Sequence, residues 1–192
     1  MSELSITKIY FNHKQVGYGG NQDWFADPWA VKAGCGSVLG SNLYAYYKGI
    51  NTAFKSEFIN IMEDLYRHMT PGKMGYPYFY KFAHAFVARM EKEGMQFKPR
   101  YLKKSKSVQQ SLDFVKKAID SQNPVGVLIL HHNAPEMKED NWHWVCITGY
   151  EETESGTDII FSDCGARRMV KANIFFDPNP VNIVKLLSFT KQ

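Results

Sequence analysis

Three side chains in this sequence have the types that a thiol nucleophile requires: Cys35, His143 and Asp163. Cysteine reacts as the thiolate, so it needs a base beside it and surroundings that lower the thiol pKa. A histidine can be that base, and a carboxylate can orient the imidazole by accepting a hydrogen bond from it. We therefore predict a catalytic triad of these residues, with Asp163 bonded to Nδ1 of His143.

Cys35 stands between Gly34 and Gly36, where a helix is predicted to begin. The positive end of a helix dipole favours an anion, and the free N–H groups there can bind an oxyanion. The position therefore predicts an accessible and activated thiol. Apolar residues follow it at helical spacing: Leu39, Leu43, Tyr46, Tyr47 and Ile50.

His143 and Asp163 belong to two predicted neighbouring strands, 143–150 and 158–162, which a short polar turn joins. Alternation along the first strand places His143 on the same face as Val145 and Ile147. Asp163 follows the end of the second strand. A hairpin of these strands would bring the carboxylate to the imidazole.

The other two thiols have simpler explanations. Cys146 lies in the middle of the strand, on the face opposite His143, and is predicted to pack in the core. Cys164 follows Asp163 in a turn and is predicted to be structural. A zinc site formed by Cys35, His143 and Cys164 is an alternative, but these residues lack the close paired spacing of zinc motifs. We expect no metal and no cofactor.

The wider pattern predicts helices in the first part of the chain and strands in the second. Before Cys35 the sequence indicates irregular structure with a short strand within 6–11. Helices are predicted from Cys35 and over 56–69, 77–93 and from Ser107, and strands over 125–130, 143–150, 158–162, 168–176 and 183–189. Ser56 and Ser107 are the predicted N-caps of their helices. This order favours a single α+β domain over 1–192, with an N-terminal helical layer packed on a C-terminal antiparallel sheet.

Composition limits the classes of partner. The 192 residues are 44% hydrophobic and 22% charged, with a net charge of +4, as in an ordinary globular protein. The basic run 98–106 is interpreted as a solvated loop, so no nucleic-acid partner is expected. No stretch reaches the roughly 20 apolar residues of a membrane span. Three cysteines and the lack of a signal-peptide pattern favour a cytoplasmic location.

Four short motifs resemble those of papain-like cysteine peptidases, and most closely the bacterial C39-like group. They read GCGS at 34–37, NPVGV at 123–127, HWVCITGYE at 143–151 and IFSDCG at 160–165. The resemblance spans roughly residues 20–170, and the order of cysteine, histidine and aspartate agrees with that of the group. It implies a papain-like fold and a cysteine hydrolase.

The resemblance also implies roles for the site residues. Cys35 would form an acyl-enzyme from a peptide or another acyl-amide substrate. His143 would act as the base and then as the acid, and Asp163 would orient it. Gln22 would donate to the oxyanion from thirteen positions before Cys35, and Asn21 is the alternative donor.

Two further functions remain open from the sequence. The same triad would serve an acyl- or peptidyl-transferase, and the fold would also serve a non-catalytic binding protein. Four tryptophans near the expected site are assigned either to a substrate groove or to the core: Trp24, Trp29, Trp142 and Trp144.

Overall fold

A computed structural model describes all residues from 1 to 192. Six α-helices and ten strands follow one another along the chain, together with two 3-10 helices at Gln22–Trp24 and Pro135–Asp140. The α-helices are α1 (Pro28–Ala33), α2 (Cys35–Tyr47), α3 (Lys55–His68), α4 (Phe79–Glu91), α5 (Val108–Asp120) and α6 (Ala172–Phe175). The strands are β1 (Ser2–Glu3), β2 (Lys8–Phe11), β3 (Lys14–Tyr18), β4 (Thr52–Phe54), β5 (Phe97–Leu102), β6 (Val125–His131), β7 (His143–Thr153), β8 (Gly156–Asp163), β9 (Ala166–Lys171) and β10 (Ile183–Lys191).

A seven-stranded antiparallel sheet dominates the fold. Its strand order is β5-β10-β6-β7-β8-β9, and the short β1 pairs with β7. A second sheet has the order β3-β2-β4, in which β2 and β4 are parallel. The mixed α and β content with a large antiparallel sheet confirms the predicted class at this level.

Helices cover both faces of the large sheet. Leu128, Trp144 and Cys146 belong to the apolar cluster that includes residues of α2 and α4. Val127 and Val145 belong to a second cluster, with residues of α5 and α6. The prediction of one helical layer is therefore incomplete. Strands that are buried on both faces are apolar along their length, which explains why the apolar residues of β6 are continuous rather than alternating with polar ones.

Helix α2 carries Cys35 as its first residue. Ten of its thirteen residues are buried, so tertiary packing rather than one amphipathic face holds it in place. A Cβ at Gly40 would lie only 3.0 Å from Sδ of Met69 in the segment after α3. The absence of a side chain at this position therefore lets the two segments approach closely.

Several elements differ from the prediction: β1, β3, α1 and β4 were not predicted, and two further segments take another form. Residues 168–176 were predicted as one strand, but β9 ends at Lys171 and α6 follows. Ala172 and Phe175 are both buried, and a helical turn puts residues three apart on one face, whereas a strand would separate them. Strand β5 lies in the run predicted to be a loop. It pairs with β10 at the edge of the sheet, where Pro99, which lacks an N–H, is tolerated because one side of an edge strand has no neighbouring strand to bond.

The helix starts show smaller differences. Ser107 caps α5 as predicted, because its Oγ accepts from N–H of Gln110 at 3.2 Å. Ser56 is not a cap, since α3 already begins at Lys55 and Phe54 is the residue before it. No helix combines the length and apolar character that a bilayer crossing requires.

Candidate active site

Cys35 is the first residue of α2, as the sequence predicted. Gly34 connects α1 directly to α2: its N–H donates to the carbonyl of Ala30 at 2.7 Å, and its own carbonyl accepts from Val38 at 3.0 Å. Cys35 is only 8% exposed, yet it lines an open cleft. The two helices thus present the thiol at the bottom of the cleft rather than on the surface.

The pKa of the Cys35 thiol lies below its ordinary value. Burial alone would raise it, but a hydrogen bond from His143 and the positive charge of that ring lower it, with further help from the backbone N–H groups of Trp144 and Gly36. The other two thiols behave in the opposite way. Burial raises the pKa of Cys146 to about 12 and also raises that of Cys164. Cys35 is therefore the one thiol of the chain set up to ionise.

His143 and Asp163 are hydrogen-bonded, but through the other ring nitrogen than predicted. Nε2 of His143 lies 2.7 Å from Oδ1 of Asp163, so the predicted bond to Nδ1 is wrong. Cys146 faces Ser162 across β7 and β8, and this register puts Asp163 opposite Val145, diagonally across from His143 on the same face. Because the carboxylate occupies Nε2, Nδ1 is the nitrogen left for Cys35.

His143 and Asp163 each stabilise the charged form of the other. Burial would lower the pKa of His143, but the bonds to Asp163, Cys164 and Cys35 raise it well above its ordinary value. Burial would likewise raise the pKa of Asp163, but His143 and Arg168 hold it well below its usual range. With side chains 14% and 13% exposed, the imidazolium and the carboxylate are shielded from solvent.

Gln22 lies at the same site, in the 3-10 helix Gln22–Trp24. It lines both the cleft and the narrow cavity behind Cys35, and its buried Oε1 has no hydrogen-bond partner. Asn21, the alternative donor, caps this helix, since its Oδ1 accepts from N–H of Asp23 at 2.9 Å, and unlike Gln22 it lines neither the cleft nor the cavity. Helix α1 takes up the residues between Gln22 and Cys35, which explains their wide spacing.

A buried amide holds the segment that carries Gln22. Oδ1 of Asn42 on α2 accepts from N–H of Gly20 at 2.8 Å, and Ser162 donates to the carbonyl of Tyr18 at 2.6 Å. A Cβ at Gly19, whose φ is +78°, would lie 2.7 to 2.8 Å from the side chains of Asn42 and Ser162. The segment is thus fixed against α2 and β8.

Residues 20–175 match the family model described as Peptidase_C39 like family. The chain belongs to this family. The match confirms the resemblance seen in the cysteine and histidine motifs and supports an enzyme of the cysteine peptidase type. A search of curated proteins finds no match.

In this C39-like chain the sequence reasoning missed two charged residues near Asp163, which are Arg168 and Asp140. Nη1 of Arg168 lies 2.5 Å from Oδ2 of Asp163 and 2.7 Å from Oδ1 of Asp140. The sequence did contain a signal that would have placed Arg168 near Asp163. A two-residue hairpin turn at Cys164 and Gly165 puts residue 168 on the same face of the sheet as Asp163. No local signal marks Asp140.

Cys164 forms this turn and also touches the site. It has a φ of +44° and Gly165 a φ of +78°, as a type I′ turn requires at both central positions. Its Sγ lies 3.7 Å from Nε2 of His143. The zinc alternative named Cys35, His143 and Cys164. The structure instead brings possible ligand atoms of His143, Asp163 and Cys164 within 4.8 Å of one another.

The cleft has a volume of about 490 Å³ and contains three of the four tryptophans. Trp29 and Trp142 are 40% and 55% exposed. Trp144 is buried: its Nε1 donates to the carbonyl of Tyr76 at 2.8 Å, and its ring stacks on Phe82 at a centroid distance of 4.6 Å. The groove interpretation thus fits Trp29 and Trp142, whereas Trp144 forms the floor of the cleft as part of the core. Trp24 lies outside the cleft.

Proposed function

We propose that this protein is a cysteine hydrolase that cleaves an amide bond through an acyl-enzyme on Cys35, within a papain-like fold formed as one domain by residues 1–192. The observation that carries the proposal is that Cys35 and His143 are in contact and that their pKa values shift in opposite directions. The thiol pKa of Cys35 is lowered and the pKa of His143 is raised, which favours a thiolate beside an imidazolium.

The reaction follows from this pair. The Cys35 thiolate attacks the carbonyl carbon, and the carbonyl oxygen becomes an oxyanion. Nε2 of Gln22 and the N–H groups at the start of α2 supply donors for that oxygen. Nδ1 of His143 then gives its proton to the leaving amine, and the C–N bond breaks to leave a thioester.

The second half of the reaction uses the same groups. Neutral His143 removes a proton from water, which attacks the thioester and releases the acid and the Cys35 thiolate. Asp163 keeps the imidazole in position through Nε2 in both halves. An amine in place of water would give the acyl-transfer outcome with the same site.

Alkylation with iodoacetamide tests the thiolate–imidazolium pair without a known substrate. At pH 6, mass-spectrometric peptide mapping should show rapid modification of Cys35 in the parent. Without the imidazolium the thiol pKa returns toward its ordinary value, so His143→Ala should react at least roughly tenfold more slowly. The control is His84→Ala, which changes an exposed histidine of α4. Equal rates in the parent and His143→Ala would rule out the pair.

A peptide and acyl-amide library tests the reaction itself. Parent protein should release amine from at least one member, and Cys35→Ala should release none. Repeating the assay with an added amine separates hydrolysis from transfer by the mass of the product. A thiol that is alkylated rapidly while every library member stays intact would favour the binding-protein alternative.

A further inference from the structure

Arg168 connects two carboxylates that lie far apart in the sequence. Asp163 ends β8, whereas Asp140 ends the 3-10 helix Pro135–Asp140 that precedes β7. Both accept from the same guanidinium nitrogen, at 2.5 and 2.7 Å. Together with His143 these side chains form a row of alternating charge: imidazolium, carboxylate, guanidinium, carboxylate.

The guanidinium of Arg168 is held on several sides. Nη2 donates to the carbonyl of Glu136 at 3.1 Å, and the group lies 5.0 Å from the ring centroid of Phe161. Phe161 is the residue opposite Arg168 in the pairing of β8 with β9. A planar guanidinium fixed by so many contacts makes a rigid partner for a carboxylate.

Asp140, the second carboxylate bonded to Arg168, is unusually buried for an acidic residue. It is 2% exposed, and its Oδ2 has no hydrogen-bond partner. A buried carboxylate with one free oxygen costs free energy unless a cation offsets its charge. Arg168 is its ion-pair partner, so Asp140 in turn keeps the guanidinium in place.

Asp163 has two charged partners, one on each oxygen. Oδ1 accepts from Nε2 of His143 and Oδ2 from Arg168. A carboxylate held by Oδ1 alone could turn about its Cα–Cβ and Cβ–Cγ bonds, away from the imidazole. The contact at Oδ2 removes that freedom.

We propose that Arg168 is a positioning residue of the active site, which holds the Asp163 carboxylate against His143 by fastening it to the buried Asp140. This inference rests on the proposed function, because it gives Arg168 its role through the same triad. Arg168 acts on the reaction only through Asp163.

The imidazole of His143 reports this role directly. It is faced by Cys35 from α2, by Asp163 from β8 and by Cys164 from the turn, and the charge of Asp140 interacts with it without a hydrogen bond. NMR of the imidazole C–H signals gives the pKa of His143 in the folded protein, with the signal assigned by its loss in His143→Ala. Asp163→Asn supplies the reference for a lost carboxylate.

A positioning role and a simple charge effect give opposite shifts. If Arg168 positions Asp163, Arg168→Gln frees the carboxylate and the pKa of His143 falls, by about 1 unit or more and in the same direction as in Asp163→Asn. If Arg168 acted only as a nearby positive charge, its removal would raise that pKa. Arg168→Lys keeps the charge but loses the bond to the carbonyl of Glu136 and the planar contact with Phe161, so positioning also predicts a fall in this variant.

The neighbouring Arg167 supplies the matched control. It lies on the opposite face of β9 and forms an ion pair with Glu3 at 2.7 Å, so Arg167→Gln should leave the pKa of His143 unchanged. An unchanged or raised pKa in Arg168→Gln, with thermal unfolding showing a folded protein, would overturn the inference. Should Arg168→Gln fail to fold, an unchanged pKa in Arg168→Lys would do the same.

The proposed function fails separately from this inference. It fails if alkylation of parent Cys35 does not depend on His143. The inference fails if that dependence is present and the pKa of His143 does not fall in Arg168→Gln or, where Arg168→Gln does not fold, in Arg168→Lys.

Discussion

Replacing Asp163 with asparagine is the sharpest test of the active-site electrostatics. The substitution keeps the shape of the side chain but removes the charge that lies 2.7 Å from Nε2 of His143. Arg168 keeps its second carboxylate partner, Asp140. The cation is therefore not left alone, and the loss should be confined to His143.

The magnitude follows from the burial of the pair. Both side chains are nearly enclosed, at 14% and 13% exposure, so solvent screens the interaction only weakly. An opposite charge at this distance moves a pKa by about 1 to 3 units, each worth about 1.4 kcal/mol. The equilibrium between thiolate–imidazolium and neutral thiol–imidazole should therefore shift by roughly 10- to 1,000-fold toward the neutral pair.

Iodoacetamide alkylation of Cys35 at pH 6 measures this shift. Asp163→Asn should react at least roughly tenfold more slowly than the parent. The control is Asp158→Asn on the same strand, because Asp158 is also an ion-paired carboxylate of low exposure, bonded to Lys171 at 2.9 Å. Equal slowing in both variants, or no slowing in Asp163→Asn, would refute the reasoning.

Three other outcomes are expected. Gln22→Ala should lower turnover of a library substrate by about 100-fold while leaving thiol alkylation unchanged; slowing of both would contradict an oxyanion role. Phe82→Ala should lower the free energy of unfolding in urea by about 3 to 5 kcal/mol because Phe82 is fully buried, whereas the exposed Phe54→Ala should cost less than about 0.5 kcal/mol. Unfolding free energy should decrease as pH rises above 6.5 through the raised pKa of His143, and also as pH falls below 3.8 through the lowered pKa of Asp163. Calorimetry across pH checks this, and Asp163→Asn should flatten both changes.

The local features of the site could be predicted because their signals are local. The apolar spacing after Cys35 was enough to start a helix there, since that pattern depends on residues within a few turns. Strand alternation and the short turn after Tyr150 placed His143 and Asp163 in one hairpin for the same reason. The structure confirms the helix start and the hairpin, although β7 continues to Thr153 and β8 begins at Gly156, so the turn is shorter than predicted.

The errors lie where distant segments decide the outcome. Pairing with β10 makes 97–102 a strand although its composition suggests a loop. Ala172 and Phe175 turn toward the core and end β9. Propensity is a weak signal in both cases, and tertiary contacts override it.

The sequence by itself determined the residue types of the chemistry, their order along the chain and the elements that carry them. Only the tertiary structure decided that Asp163 bonds to Nε2 of His143, that Gln22 lines the same cleft as Cys35, and that Arg168 joins Asp163 to Asp140. The physical reason is that a helix or a hairpin is specified by near neighbours. A hydrogen bond instead depends on a few ångströms between side chains that only the packed sheet and helices bring together.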